Sequence, residues 1–134
     1  MLLVDASVWV CLVEDESPHR EAAASLIREQ TSSLSALDLT LYEVANAIGV
    51  KRGDTQEASR VNRLLLRCCR DRVLSVEAEL VNSAMQIAAE HGLTVYDAAY
   101  VAAARRNGLT LVSTDIRDLV SKGLAVTPDA AVYP

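Results

Sequence analysis

The chain has 134 residues, enough for one compact domain that needs neither disulfides nor a structural metal to fold. Hydrophobic residues make up 51% of it, which excludes a disordered chain, but Phe is absent and Trp9 is the single tryptophan, so Leu, Val, Ile and Ala must build the core. A net charge of −5 argues against a uniformly basic surface for nucleic acid, although seven of the thirteen Lys and Arg residues are concentrated between Lys51 and Arg72.

Strand and helix signals alternate along the chain. Leu2-Leu3-Val4 is a short apolar run ended by Asp5, which predicts a buried strand. Residues 7–13 read as a short helix, and Ser17-Pro18 opens a second one that runs to about residue 30. Leu34-Ser35-Ala36 is a weak strand signal, and from Thr40 the positions Leu41, Val44, Ala45 and Ile48 have helical spacing. Residues 55–70 form a further helix, with Val61, Leu64, Leu65 and Cys68 on its buried face. Residues 73–76 predict the third strand, and 78–91 a helix closed by Gly92. An Ala-rich helix over 96–107, closed by Gly108, leads to a fourth strand at 109–113, a short helix at 116–122 and a fifth strand at 124–126. Strands separated by helices imply parallel pairing with right-handed crossovers. The expected architecture is a three-layer α/β/α sandwich on a parallel sheet of four to five strands. It is one domain over 1–134, with residues 127–134 as a C-terminal tail, and the strand order stays open.

The three cysteines, Cys11, Cys68 and Cys69, have no metal-ligand spacing and read as reduced, buried thiols. His19 and His91 are too far apart in sequence to suggest zinc. An acid as early as Asp5 and the lack of a long apolar stretch speak against a secretory or membrane-spanning segment, so the expected address is the cytoplasm, with no membrane partner.

The informative residues are Asp5, Glu43, Asp97 and Asp115. In a parallel α/β sheet the strand ends and the starts of the following helices share one edge, where ligands bind. Asp5 ends the first strand, and Asp115 follows the fourth. Glu43 and Asp97 lie in first turns of helices whose N-termini face the same edge. Four carboxylates in one cleft repel one another unless a cation is held between them, and oxygen donors suit Mg²⁺ or Mn²⁺. Each acid also has a purely local reading. Asp5 can cap the helix after it, Thr40-x-x-Glu43 and Thr94-x-x-Asp97 fit capping boxes, and Asp115 can serve a turn.

Four segments carry a family resemblance: Val4-Asp5-Ala6-Ser7, Leu41-Tyr42-Glu43-Val44-Ala45-Asn46-Ala47, Thr94-Val95-Tyr96-Asp97-Ala98-Ala99-Tyr100-Val101-Ala102 and Leu111-Val112-Ser113-Thr114-Asp115. In order and distance they resemble the acidic motifs of PIN-domain proteins, above all the short VapC-type toxins. The resemblance implies a Mg²⁺- or Mn²⁺-dependent endoribonuclease that cuts RNA, is usually a homodimer, and is neutralised by a small antitoxin protein. It implies Asp5 and Asp97 as direct metal ligands, with Glu43 and Asp115 completing the cluster directly, through water or by orienting the nucleophile. Ser7, Asn46 and Thr114 are the supporting polar groups, or else cap local backbone. Family members often carry a further acid two residues after the fourth; here the next is Asp118, three residues on, which reads as a helical cap.

Arg60, Arg63, Arg67 and Arg70 recur at helical spacing opposite the buried face of their helix. They are either a solvated face or a track for RNA or for an acidic partner surface. Two other functions fit the same fold. An inactive PIN-like binding module would be expected to lack one or more acids. A receiver-like phosphoacceptor would need an acid after the central strand and a lysine ending a late one; Glu77 follows the third strand, but no such lysine is present.

Overall fold

A computed structural model describes residues 1–132. Its strands are β1 (Leu2–Val4), β2 (Leu34–Leu37), β3 (Val73–Leu74) and β4 (Thr110–Val112). Its α-helices are α1 (Ala6–Cys11), α2 (Arg20–Glu29), α3 (Asp38–Val44), α4 (Thr55–Cys69), α5 (Ala78–His91), α6 (Val95–Asn107) and α7 (Pro128–Val132). All pairings are parallel, in the order β3-β2-β1-β4. The chain thus winds outward from β1 to β3 and then crosses back to place β4 on the other side of β1. In open parallel sheets ligands bind where the winding direction changes, which here is at the carboxyl ends of β1 and β4.

Side chains alternate across this sheet with the two-residue period of a strand. Val4, Leu34, Ala36 and Val112 face one core, shared with α1, α2 and α4. Leu3, Leu37 and Leu111 face the other, shared with α5 and the Ala-rich α6. Small residues bring α6 close to the sheet: Ala98, Ala99, Ala102, Ala103 and Ala104 are all buried. The three layers are those expected from the sequence.

Several boundaries shift for local reasons. Ser17 Oγ accepts from the His19 amide at 3.3 Å, so Ser17-Pro18 forms a turn and α2 begins at Arg20. β3 ends at Leu74, and the Val76 amide donates to the Asp38 carboxylate at 3.2 Å instead of extending the ladder. The expected fifth strand shrinks to a single bridge between Val126 and Val112. Two expected α-helical stretches adopt wider π turns, Ala45–Lys51 after α3 and Ile116–Val120 after β4. Such turns recur at functional sites because they re-aim side chains. Most of the expected tail is helical: α7 packs on α2, where Gln30 Nε2 donates to Ala131 O at 3.1 Å and His19 Nδ1 meets Asp129 at 3.1 Å. Residues 133 and 134 of the tail lie outside the described residues.

All three thiols are unbridged and buried. Burial pushes Cys11 up to about 11 and Cys69 up to about 12, so neither is a nucleophile at neutral pH. Among the described residues no helix is long and apolar enough to cross a membrane.

Candidate metal centre

The local readings of the four acids separate once the helix starts are known. Asp5 does cap α1: its Oδ1 accepts from the Ser7 amide at 3.0 Å. Glu43 does not serve a capping box, because α3 already begins at Asp38 and places Thr40, not Glu43, in the first turn. Thr94 caps α6 by accepting from the Asp97 amide at 3.2 Å. The Asp97 carboxylate makes no return bond to the Thr94 amide and faces Asp115 and Asp118. Asp115 Oδ1 accepts from the Asp118 amide at 2.9 Å, so Asp115 is the residue that caps this turn. Asp118, expected as a cap, turns its carboxylate into the cluster instead.

Carboxylate oxygens of Asp97, Asp115 and Asp118 lie within 4.8 Å of one another, close enough to share one cation. Asp5 and Glu43 are not in that tight group, but both are acted on by the charge of Asp97. Asp97, at the N-terminus of α6, is therefore common to both sets. The donors are all carboxylate oxygens, the set that suits a hard divalent cation, and no Lys or Arg ion pair neutralises Asp5, Glu43 or Asp97 among the described residues.

Burial first, and the neighbouring charges second, raise three of these acids. Asp5 is 4% exposed, and burial pushes its carboxyl up to about 7, against hydrogen bonds from Ser113 and Ser7 and with help from the Glu43 and Asp97 charges. Burial also raises Glu43, opposed by a hydrogen bond from Tyr100. Asp97 is raised by burial and then by the Asp115 charge. Three acids displaced in the same direction lack a positive partner, and a divalent cation would supply it.

A hydroxyl network ties the two strand ends together. Ser7 Oγ donates to Asp5 Oδ1 and accepts from the Thr114 amide at 2.9 Å. Ser113 Oγ lies 3.3 Å from Ser7 Oγ and accepts from the Asp115 amide at 3.0 Å. Ser7 thus sets its hydroxyl against Asp5. Thr114 supplies its backbone amide to Ser7 and lines an open cleft with Glu14, Asp15, Ser17, His19 and Arg52. The second hydroxyl beside the acids is that of fully buried Ser113, just past β4, whose amide donates to the Val126 carbonyl at 2.9 Å. Asn46 falls in the π turn, where it is exposed and has no hydrogen-bond partner among the described residues.

The four arginines are all exposed. The middle of α4 lies against α3, where Asn62 Nδ2 donates to Leu41 O at 3.0 Å, and its end leads to β3. Arg60 is paired with Glu57 at 2.6 Å. Arg70 leaves the helical track as the cap of α4, with φ 51°. Arg63 and Arg67 remain exposed and unpaired among the described residues. Glu77 follows an edge strand, not a central one, which removes the receiver-like arrangement.

The PIN domain family model matches residues 2–121. The chain is 40% identical to Ribonuclease VapC3 of Pyrobaculum aerophilum, over 95% of its own length and 98% of that protein. It is 36% identical to Exonuclease VapC9 of the same organism, covering 90% and 84% of the two chains. Among solved structures, a toxin–antitoxin complex from Klebsiella pneumoniae superposes with a TM-score of 0.72 at 19% identity, over 96% of this chain and 98% of that one.

Proposed function

The chain belongs to the PIN domain family, and from that premise we propose that it is a divalent-metal-dependent endoribonuclease and the toxin of a toxin–antitoxin pair. The observation that carries the proposal is the convergence of Asp97, Asp115 and Asp118 within 4.8 Å, with Asp5 and Glu43 coupled to Asp97. The name of the first relative supports the ribonuclease reading, and the Klebsiella pneumoniae toxin–antitoxin complex of the same fold supports the toxin reading. The site works in the cytoplasm on RNA, a small antitoxin protein covers it, and the chain acts as a homodimer.

In this reading Asp5 and Asp97 are direct ligands of Mg²⁺ or Mn²⁺, Glu43 and Asp115 complete the shell, and Asp118 joins them. When bound, such a cation stabilises charge developing on the phosphoryl group and provides activated water. The rest is done by the chain. The α6 N-terminus directs its partial positive charge at the same edge and favours a phosphate there. Ser7 fixes the Asp5 carboxylate by donating to Oδ1 from both its amide and its hydroxyl, so its orientation is set before substrate arrives. Tyr42 and Tyr96, 79% and 58% exposed, each stand one residue before an acid and offer ring faces to unpaired bases. Arg63 and Arg67 hold the RNA backbone farther along α4.

Cleavage of linear and circular RNAs, structured and unstructured, with Mg²⁺, with Mn²⁺ and with chelator tests the proposal. A circular RNA has no ends, so its linearisation separates endonuclease from exonuclease action, a distinction the name of the second relative makes pertinent. The expected result is metal-dependent linearisation that stops in chelator. Pure, folded protein that cuts nothing with either metal would leave an inactive binding module as the better description.

A further inference from the structure

Tyr100 is 1% exposed and Thr40 is fully buried, and neither is an acid of the cluster. A buried hydroxyl is costly unless it is bonded, and a phenyl ring would fill the same space without that cost. The Tyr100 hydroxyl is bonded twice, donating to Glu43 Oε1 at 2.7 Å and lying 2.8 Å from Thr40 Oγ1. Thr40 Oγ1 in turn accepts from the Leu37 amide at 3.3 Å.

The direction of this chain of hydrogen bonds is fixed by its ends. An amide N–H only donates and a carboxylate only accepts, so the protons run from Leu37 through Thr40 and Tyr100 to Glu43. Each hydroxyl donates once and accepts once, an arrangement in which neighbouring bonds strengthen one another. Burial, and then the Glu43 charge, push the Tyr100 phenol upward, so it keeps its proton and stays a donor.

We propose that Tyr100, braced by Thr40, is a positioning residue that fixes the Glu43 carboxylate for cation binding and RNA cleavage. The proposal rests on the metal-site reading above. Glu43 has three side-chain torsions, and an ordered carboxylate must give up that freedom either on folding or on each binding event. The bond at Oε1 settles it on folding, and Oε2 has no hydrogen-bond partner among the described residues. Tyr100 also lies three residues after Asp97 on α6, hence on the same helix face. One helix therefore supplies a ligand and the brace for a ligand carried by α3, so the two acids are held at a fixed separation.

Y100F removes the hydroxyl and keeps the ring. It is expected to lower kcat by about 30-fold with KM little changed, and to weaken Mn²⁺ binding by about tenfold in calorimetry without RNA. T40V should lose part of the same rate, and T40S, which keeps the hydroxyl, should restore most of it. Because Tyr100 acts through Glu43, Y100F on an E43Q background should leave Mn²⁺ affinity where E43Q alone puts it. Folded Y100F with wild-type kcat and wild-type Mn²⁺ affinity overturns the proposal, as does additivity of Y100F and E43Q in Mn²⁺ binding. A wild-type protein that neither binds Mn²⁺ nor cleaves RNA defeats the metal-site reading itself, a result distinct from either.

Discussion

The two ends of the sheet treat charge in opposite ways. At the amino end, where β2 and β3 begin, the Arg72 guanidinium donates to three main-chain carbonyls, those of Leu34 at 2.8 Å, Thr31 at 2.9 Å and Cys68 at 3.0 Å. Its donors are used in closing the fold, and the half-buried guanidinium also lies 3.7 Å from Asp71. At the carboxyl end, Asp97, Asp115 and Asp118 gather beside Asp5 and Glu43; among the described residues only Asp118 lies near a cation, Arg117 at 3.8 Å, and Asp5, Glu43 and Asp97 are pushed above their ordinary range. Charges satisfied within the chain mark structure, and charges left crowded mark a place for a ligand.

The sharpest way to break this comparison is to neutralise the acid shared by both sets. Asp97→Asn should reduce metal-dependent RNA cleavage by about 10³-fold or more while the protein stays folded. Cleavage assays beside circular dichroism check this, and an active, folded variant would remove the contrast.

The next effect is on stability without metal. A carboxyl raised on folding binds its proton more tightly in the folded state, so its contribution is fully present below the unfolded value and is lost as pH rises through the folded one. For Asp5 the window runs from 3.8 to about 7. Stability of the chelator-treated protein should fall across that window, by up to about 4 kcal/mol from Asp5 alone. Mn²⁺ should restore it at the upper end. Denaturant melts at a series of pH values, with and without Mn²⁺, measure both. A metal-free protein as stable at pH 7.5 as at pH 4.5 would contradict the burial of an unpaired Asp5 carboxylate.

Arg72→Ala probes the other end. It removes three hydrogen bonds to main-chain carbonyls and should cost about 3 kcal/mol of stability, with cleavage per folded molecule unchanged. Loss of specific activity in the folded fraction would show that the two ends are not separable.

The smallest effect is expected on α4. Changing Arg60, Arg63, Arg67 and Arg70 to Gln together should weaken RNA binding by about tenfold. Its salt dependence should become shallower by about 0.7 for each single-strand phosphate that is no longer neutralised. Stability should barely move, because all four are exposed. Most of the effect should come from Arg63 and Arg67, since Glu57 already holds Arg60 and Arg70 points off the helical track. Unchanged affinity and salt dependence would reduce the stripe to a solvated face.

Much was readable from residue order alone. Apolar runs of strand length, helix periodicity and the Gly92 and Gly108 stops are signals within a few residues of one another, and they set the alternation of strands and helices. The topology that follows from alternation assigned Asp5, Glu43, Asp97 and Asp115 to one edge, and the motifs around them carried the family. Other features depend on elements that meet only after folding. Nothing local orders the strands β3-β2-β1-β4, since that is decided by which helix faces cover which side of the sheet. Whether Ser113 or Thr114 faces the acids depends on how the segment after β4 meets Val126 and Ser7. Asp118 enters the cluster because Ile116–Val120 winds as a π turn, and Tyr100 reaches Glu43 across 57 residues of sequence. Local propensity acts over one or two turns of chain, whereas the aim of a side chain at a partner far away in sequence is set by packing, which no short window of residues contains.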